Sequence, residues 1–427
     1  MSLKKRDLLL IGLTLFSMFF GAGNLIFPPF LGEQAGSMAW LGGIGFIISA
    51  VGLPILGVIA VAKSDGLKEL AGRVHPRFAS IFILLIYLSI GPCLAIPRTA
   101  STSYEMAILP FLSQYSGFLL QLGYSFVFFA IALYLALNPE KLSDRIGKVL
   151  CPILLGLIFI IFVGSFFVDH MQYGLPTGSY LSGQLVQGFL DGYQTMDTIA
   201  ALNFGIIIAL NIKSKGIQDH KEVISSIVRA GLIAGICLAV VYAMLIHIGG
   251  LSSYLTGYHT QGAQTLIAFV QYLFKDVGMI ILAAIFFIAC LNTCVGLICC
   301  CGEYFHEIMP KISYKKWAFL FAGVSMVISN IGLDMILKIS IPILNLLYPL
   351  SIVLIGLAFL HSWIKDYTYL YQTTILFTGI GSVLGVLPNF HLDFSWLHMI
   401  PLFDYSLGWI VFAIVGFLIG ICLGKRK

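Results

Sequence analysis

The chain has 427 residues, 59% of them apolar and 10% charged, with a formal net charge of +5 and a mean hydropathy of +0.98. A soluble domain carries about 25% charged residues, so this composition argues against a surface that faces water and for one that faces lipid. The apolar runs are continuous rather than alternating, which argues against a β-barrel and gives the class as an all-α polytopic membrane protein.

Twelve candidate spans follow one another near 7–31, 37–62, 78–111, 118–138, 147–168, 191–212, 223–249, 276–302, 317–334, 337–360, 370–388 and 407–424. The start MSLKKRD has the outline of a signal peptide. Its apolar run is too long and lacks a cleavage site, so it reads as an uncleaved first span. Inside that span stands FFGAGNLIFPP, residues 19–29. Glycine and proline both weaken a helix interior, and no water in hydrocarbon can pair the freed backbone groups. A break at mid-membrane resolves the conflict if the freed groups meet a ligand. The half-helix after it begins with free N–H groups and a positive dipole end, which suits a carboxylate. The freed carbonyls before it suit a small cation. Gly21 and Gly23 allow close approach, Asn24 offers an amide, and Pro28 and Pro29 fit the early turns of a new helix. A Pro-kinked structural helix is the alternative.

The third span carries Arg98 and Glu105 in IPRTASTSYE. Seven residues apart, they share a helix face about 10.5 Å apart along the axis, too far to pair without bending. The fifth span has no Lys or Arg between 149 and 168. A cation site between spans one, five and eight would thus have no built-in ammonium, which tilts coupling toward Na⁺. The sixth span reads DGYQTMDTIAALNFGIIIA and carries Gly192, Gln194, Thr195, Asp197, Thr198 and Asn203 in its outer half. It reads as a second break. Asp197 is the expected partner of Arg98. Buried ionisable residues in spans are functional candidates: Asp197 for capture of a substrate amine, and Glu105 or Asp197 for proton coupling. A satisfied charge network of Arg98, Glu105 and Asp197 is the structural alternative.

Between spans seven and eight, the later part of GLSSYLTGYHTQGAQTLIAFV is a candidate amphipathic lid over the external mouth, with a plain connector as the alternative. Span eight sets Asn292 beside Thr293, an amide oxygen and a hydroxyl able to complete an oxygen shell around a hard cation. Back-bonding of Thr293 and packing of Asn292 is the bland reading. Spans nine and ten are split only by Gly332-Leu333-Asp334. Span twelve carries Gly416, Gly420 and Gly424, a small-residue stripe that serves either packing within the chain or a homodimer contact.

Breaks in spans one and six, in halves of opposite topology, match the pattern of an inverted repeat. The expected organisation is a single membrane transport domain over 1–427. A first five-span repeat covers about 7–168, a second about 191–360, and two additional helices about 370–424. Placing both termini in the cytoplasm puts 21 of 24 Lys and Arg inside, including Lys141, Lys425, Arg426 and Lys427. That split supports the orientation and accounts for the net charge without nucleic acid. The nine cysteines form neither a disulfide framework nor a spaced metal motif. Cys299, Cys300 and Cys301 read as small packing residues, with lipidation as the alternative.

At FFGAGNLIFPPFLGEQAG, GPCLAIPRTASTSYE and TMDTIAALNFG the chain resembles the LIVCS family of branched-chain amino acid:cation symporters, the bacterial branched-chain amino acid transport system II carriers. The resemblance covers essentially the whole chain. It implies secondary active import of leucine, isoleucine and valine across the bacterial cytoplasmic membrane, coupled to Na⁺, with protons as an alternative in some members. It also implies the five-plus-five inverted-repeat leucine-transporter fold. Carried over by motif, Ala22, Gly23 and Asn24 resemble the residues that meet the substrate carboxylate. Ser17 and Phe20 would offer backbone carbonyls to Na⁺, with Asn292 and Thr293 as its span-eight side chains. Span eight departs from the fold's usual pair of small hydroxyls, because Asn292 or Cys294 stands where a second one is expected. Thr195, Met196 and Asp197 match the unwound segment facing substrate. Phe204, Met196 and Phe20 are candidate walls for the apolar side chain. No cofactor is expected beyond Na⁺ as coupling ion.

A proton-coupled carrier or exchanger on the same scaffold is the nearest rival. A membrane enzyme would need clustered catalytic groups, and the sequence has no HExxH, Walker loop or GxSxG. A channel would not need the mid-membrane breaks that suit occlusion.

Overall fold

The computed structural model describes residues 3–112, 117–139, 143–168, 171–390 and 394–424. Lys141, Lys425, Arg426 and Lys427, counted above among the inside charges, lie outside the described residues. The fold is all-helical. In chain order the helices are α1 (Lys5–Phe19), α2 (Ala22–Ala35), α3 (Ala39–Ile47), α4 (Leu53–Lys63), α5 (Leu67–Gly72) and α6 (Pro76–Leu88). Then come α7 (Ala95–Ala107), α8 (Leu109–Leu112), α9 (Phe118–Ala136), α10 (Cys151–Gly164), α11 (Gln184–Tyr193) and α12 (Asp197–Ser214). The chain ends with α13 (His220–Leu255), α14 (Gly262–Ile308), α15 (Tyr314–Ser329), α16 (Leu333–Ile364), α17 (Leu370–Val386) and α18 (Trp409–Cys422).

Among the described residues eight helical stretches are long and apolar enough to cross a membrane, and α17 and α18 are shorter apolar helices. Helix length alone does not give twelve crossings, because the first predicted span is split into α1 and α2 and the ninth is the 16-residue α15. The ninth and tenth do separate where expected, at Gly332 with φ +99°.

Three breaks shape the interior. The first lies at Phe20–Gly21, between α1 and α2. Pro28 and Pro29 therefore stand well inside α2 rather than in its first turn, which corrects the expectation. A proline cannot donate to the carbonyl four residues back, so these two leave the carbonyls of Asn24 and Leu25 without that donor. The second break lies at Gln194–Met196, where Met196 adopts a left-handed φ of 68°. The third was not foreseen. Span three passes through a π-turn at Ser89–Cys93, with Gly91 at φ −89°, ψ −128° ahead of Pro92.

Helices around these breaks pack backbone against backbone. A methyl group on Gly32 of α2 would sit 2.1 Å from the carbonyl oxygen of Ile246 on α13. One on Gly249 of α13 would sit 1.9 Å from that of Pro29. The α3–α11 contact repeats the device: Gly45 faces the Leu185 carbonyl at 2.0 Å and Gly188 the Gly42 carbonyl at 1.9 Å.

At Gly416 and Gly420 the stripe in α18 is likewise used for packing within the chain, the first of its two readings. Gly416 and Gly420 press on α17, their added methyls falling 2.6 Å from the Thr373 carbonyl and hydroxyl oxygens respectively. Gly424 lies just beyond α18 at φ +87°, with open space around it.

On the outer side, residues 262–274 of α14 form the expected short helix, set off from the rest by Lys275 at φ +51°. Its start rests on α2, where Gly262 leaves no room for a methyl against the Ile26 carbonyl, 2.3 Å away. The segment leading into it is tied down by Glu33, which is buried in α2. Glu33 accepts a hydrogen bond from the His259 backbone N–H at 2.7 Å and contacts the His259 ring Nδ1 at 2.8 Å.

Candidate functional site

The two broken spans meet at one small cavity. Asn24 and Asp197 stand on its wall, with Thr195, Met196 and Ala22 beside them. The Gly21 backbone N–H donates to Asn24 Oδ1 at 3.1 Å, so the Asn24 side chain caps the start of α2. The amide nitrogen of the same side chain donates to Asp197 Oδ2 and to the Tyr242 hydroxyl oxygen. The Tyr242 hydroxyl in turn donates to Asp197 Oδ2 at 3.1 Å. One carboxylate oxygen therefore gathers donors from α2 and α13, while its own backbone opens α12. A carboxylate at a helix N-terminus also sits at the favourable end of the dipole.

Arg98 does not pair with Asp197. Its guanidinium nitrogens donate to the carbonyls of Gln194 at 3.0 Å and Thr195 at 3.4 Å. This corrects the expected pairing. A charged donor at the carbonyl end of α11 satisfies groups that the break leaves unpaired and opposes the negative end of that helix dipole. Arg98 stands in the first turn of α7, just after the Gly91–Pro92 break. Gly23 lies under it: a methyl there would stand 3.1 Å from Arg98 Nη2 and 3.2 Å from the Gln194 carbonyl oxygen. Glu105 stays apart from the cluster. It accepts from the Leu333 backbone N–H at 3.3 Å, capping the start of α16.

A second oxygen-rich spot lies where α1 meets α14. Thr293 Oγ1 faces the Ser17 carbonyl at 3.5 Å, and the Asn292 amide nitrogen donates to Ser17 Oγ at 3.2 Å. Asn292 Oδ1 is buried without a hydrogen-bond partner. The Ser17 carbonyl, the Ser17 hydroxyl and the Thr293 hydroxyl are hard oxygens, which suit a small hard cation, while Asn292 turns its amide nitrogen to Ser17. Gly21 makes the approach possible, because a methyl there would fall 2.7 Å from Thr293 Oγ1. Phe20 follows the end of α1, stacks on Phe16 at 5.2 Å with Tyr242 6.3 Å off, and is not among the residues that line the cavity. Its ring is therefore no cavity wall. Phe19 takes that place and packs on Phe204 at 5.0 Å.

The apolar part of the wall comes from Phe19, Ile90, Ala95, Ala200, Phe204 and Leu297. The enclosed volume is about 20 Å³, room for about one water. Admitting an amino acid requires the walls to move. Sequence reasoning missed Tyr242, Phe19 and Ile90. Tyr242 is the lone aromatic of VVYAML and carries no local signal. Among the described residues no group of three or more His, Cys, Asp or Glu could hold a metal ion.

Residues 4–427 match the family described as branched-chain amino acid transport protein. The chain is 39% identical over 428 residues to the branched-chain amino acid permease BraB of Bacillus subtilis, covering 99% of this chain and 96% of that one. It is 39% identical over 419 residues to the branched-chain amino acid transport system 2 carrier protein of Pseudomonas aeruginosa, covering 96% and 94%. It is 37% identical over 417 residues to the branched-chain amino acid permease BrnQ of Escherichia coli, covering 97% and 94%. These relatives are named as permeases and carriers, not enzymes. Among solved structures, a Na⁺-coupled sialic acid symporter in a substrate-bound outward-open state aligns with a TM-score of 0.62 at 14% identity, covering 98% of this chain and 90% of that one. The nucleobase-cation-symport-1 transporter Mhp1, closed on bromovinylhydantoin, gives 0.57 at 12%, covering 97% and 91%. MhsT in complex with L-phenylalanine gives 0.54 at 17%, covering 97% and 98%. At such identities the likeness establishes a shared fold.

Proposed function

The chain belongs to the branched-chain amino acid transport protein family, and from that premise we propose that it imports leucine, isoleucine and valine together with Na⁺ by alternating access. The observation that carries this reading is the convergence of two broken spans on one cavity. There the free N–H groups of α2 suit a carboxylate and the Asp197 carboxylate suits an ammonium. A zwitterionic amino acid needs both. The wall of Ile90, Phe204 and Leu297 suits a branched apolar side chain. An apolar pocket separates substrates by only about 1–3 kcal/mol per methylene, so the three would compete closely.

Na⁺ is assigned to the oxygens of Ser17, Phe20, Asn292 and Thr293. The unpartnered Asn292 Oδ1 supports that assignment. With the ion bridging α1 and α14, span one is held against span eight while substrate is bound. The inverted repeat, with about 7–168 and 191–360 as its halves and 370–424 as additions, is part of the same proposal. So are twelve crossings, one transport domain and a bacterial cytoplasmic membrane with both termini inside. The shared fold and the distribution of Lys and Arg support them.

A proton-coupled carrier or exchanger remains the second reading. It is favoured by Asp197, which is buried and bonded to the neutral groups of Asn24 and Tyr242. Glu105 is a weaker candidate for that role, since it caps α16.

The deciding experiment is leucine uptake into proteoliposomes, driven by a Na⁺ gradient or by a proton gradient, for wild type and Thr293→Ala. Na⁺-driven accumulation that is lost in Thr293→Ala supports the proposal. Proton-driven accumulation indifferent to Na⁺ moves the coupling to Asp197 and leaves Thr293 a packing residue.

A further inference from the structure

A second cavity, of about 280 Å³, is lined by apolar residues together with Asp65, Lys213 and His220. Its size approaches that of small-molecule sites, which begin near 300 Å³. It lies between the end of α4, the lower half of α12 and the start of α13.

This cavity is separate from the central one. Ala200 and Phe204 of α12 line the central cavity, whereas Leu202, Gly205, Ala209 and Lys213 line this one. At about 100° per residue these two sets fall on nearly opposite sides of the helix. The half-helix therefore stands between two cavities, and the lower one is not a stretch of the central path.

Its chemistry is that of a zwitterion with an apolar tail. Val61, Leu67, Val223, Ile224 and Ile227 supply an apolar floor. The mouth carries both signs of charge: the Asp65 carboxylate, with the His220 ring nitrogen Nε2 at 3.1 Å, and the Lys213 ammonium. Asp65 is held there by a tight left-handed turn, with φ +58° followed by Gly66 at φ +116°. A purely apolar occupant would leave these charges unused. An anionic head alone would meet the Asp65 carboxylate.

We propose that this cavity is a second, weaker site for a branched-chain amino acid, entered from the cytoplasmic side. Its ammonium lies at Asp65, its carboxylate at Lys213 and His220, and its side chain among Leu67, Ile224 and Ile227. This takes as given that the chain carries such amino acids. An occupant wedges α12 against α4 and α13 and so restrains the half-helix that borders the central cavity. Accumulated internal substrate would slow further import.

The test is equilibrium binding of radiolabelled leucine to the purified full-length protein in phosphatidylcholine nanodiscs with saturating Na⁺. Wild type is expected to bind two leucines per chain with unequal affinity. Asp65→Asn keeps the left-handed turn, which asparagine tolerates, and removes the charge. Losing one charge-assisted contact weakens the second site by about tenfold or more. Ile224→Trp fills the cavity and removes that site. Both variants keep the stronger site and the initial uptake rate into leucine-free vesicles, and Asn24→Ala loses the stronger site alone. One leucine per chain, lost in Asn24→Ala and kept in Asp65→Asn and Ile224→Trp, overturns the second site and leaves the transport reading standing. A second site untouched by Asp65→Asn but displaced by added anionic lipid also overturns it, giving the cavity to an acyl chain. A wild type that binds no leucine overturns the transport reading and the second site together.

Discussion

Asn24 joins the two breaks through one side chain. Its carbonyl oxygen caps the start of α2 and its amide nitrogen binds Asp197 and Tyr242. Any shift of α2 against α12 must stretch these bonds. Tyr242 is the third member, and hydrogen bonds to a charged acceptor contribute about 1.5–3 kcal/mol. Tyr242→Phe keeps the ring and deletes the donor to Asp197. Leucine affinity at the central site is expected to fall about tenfold or more, read by equilibrium binding; an unchanged affinity would detach Tyr242 from the site. Gly21→Ala tests the other contact. Its methyl would enter the space of Thr293 Oγ1, so half-saturation by Na⁺ should rise severalfold while proton-independent leucine binding at very high Na⁺ recovers. Equal Na⁺ dependence in both proteins would separate Gly21 from the ion. Asn24 and Asp197 were legible in the sequence because polar residues stand out in an apolar run. The true partner of Arg98 was not, because backbone carbonyls at a helix end leave no mark in a sequence.

At the scale of elements, two breaks out of three were readable. Gly21 and Asn24 announce the first, and the polar run Gln194–Asp197 the second. The third carries an equally plain Gly91–Pro92 signal, yet the surrounding apolar run reads as one continuous span. The kink at Lys275 had no breaker residue at all; it arises where the short helix 262–274 lies on α2 instead of continuing α14. That short helix is held by Glu33, whose carboxylate reaches the backbone and ring of His259. Glu33→Ala removes a buried carboxylate acceptor from the half-buried His259 N–H and ring, and hydrogen bonds to a charged acceptor contribute about 1.5–3 kcal/mol. Amide hydrogen exchange over 256–274 is expected to quicken by about tenfold or more, with exchange in α18 unchanged. Uniform quickening throughout the chain would indicate general destabilisation rather than release of this segment.

Across the whole molecule, close helix contact is achieved by glycines at matched places. In α18 they seat α17. Gly416→Leu therefore overpacks an internal seam, at a cost of about 1–3 kcal/mol, and should lower the thermal midpoint in detergent without altering oligomeric state. A change in oligomeric state with an unchanged midpoint would return the stripe to the outer surface. The seams between α2 and α13 and between α3 and α11 have a different reach. There the nearest neighbour of Gly32, Gly45, Gly188 and Gly249 is in every case a carbonyl oxygen, whereas in α18 that holds for Gly416, while Gly420 meets the Thr373 hydroxyl. A side-chain clash can be relieved by a second substitution in the facing residue. A clash with a carbonyl cannot, because every residue has the same carbonyl. Gly32, Gly45, Gly188 and Gly249 are thus closed to the compensating pairs of changes by which other helix contacts diverge. Relatives drifting far apart in their lipid-facing residues should still keep glycine at these four positions, and a lineage that lost one would have to re-pitch two helices at once.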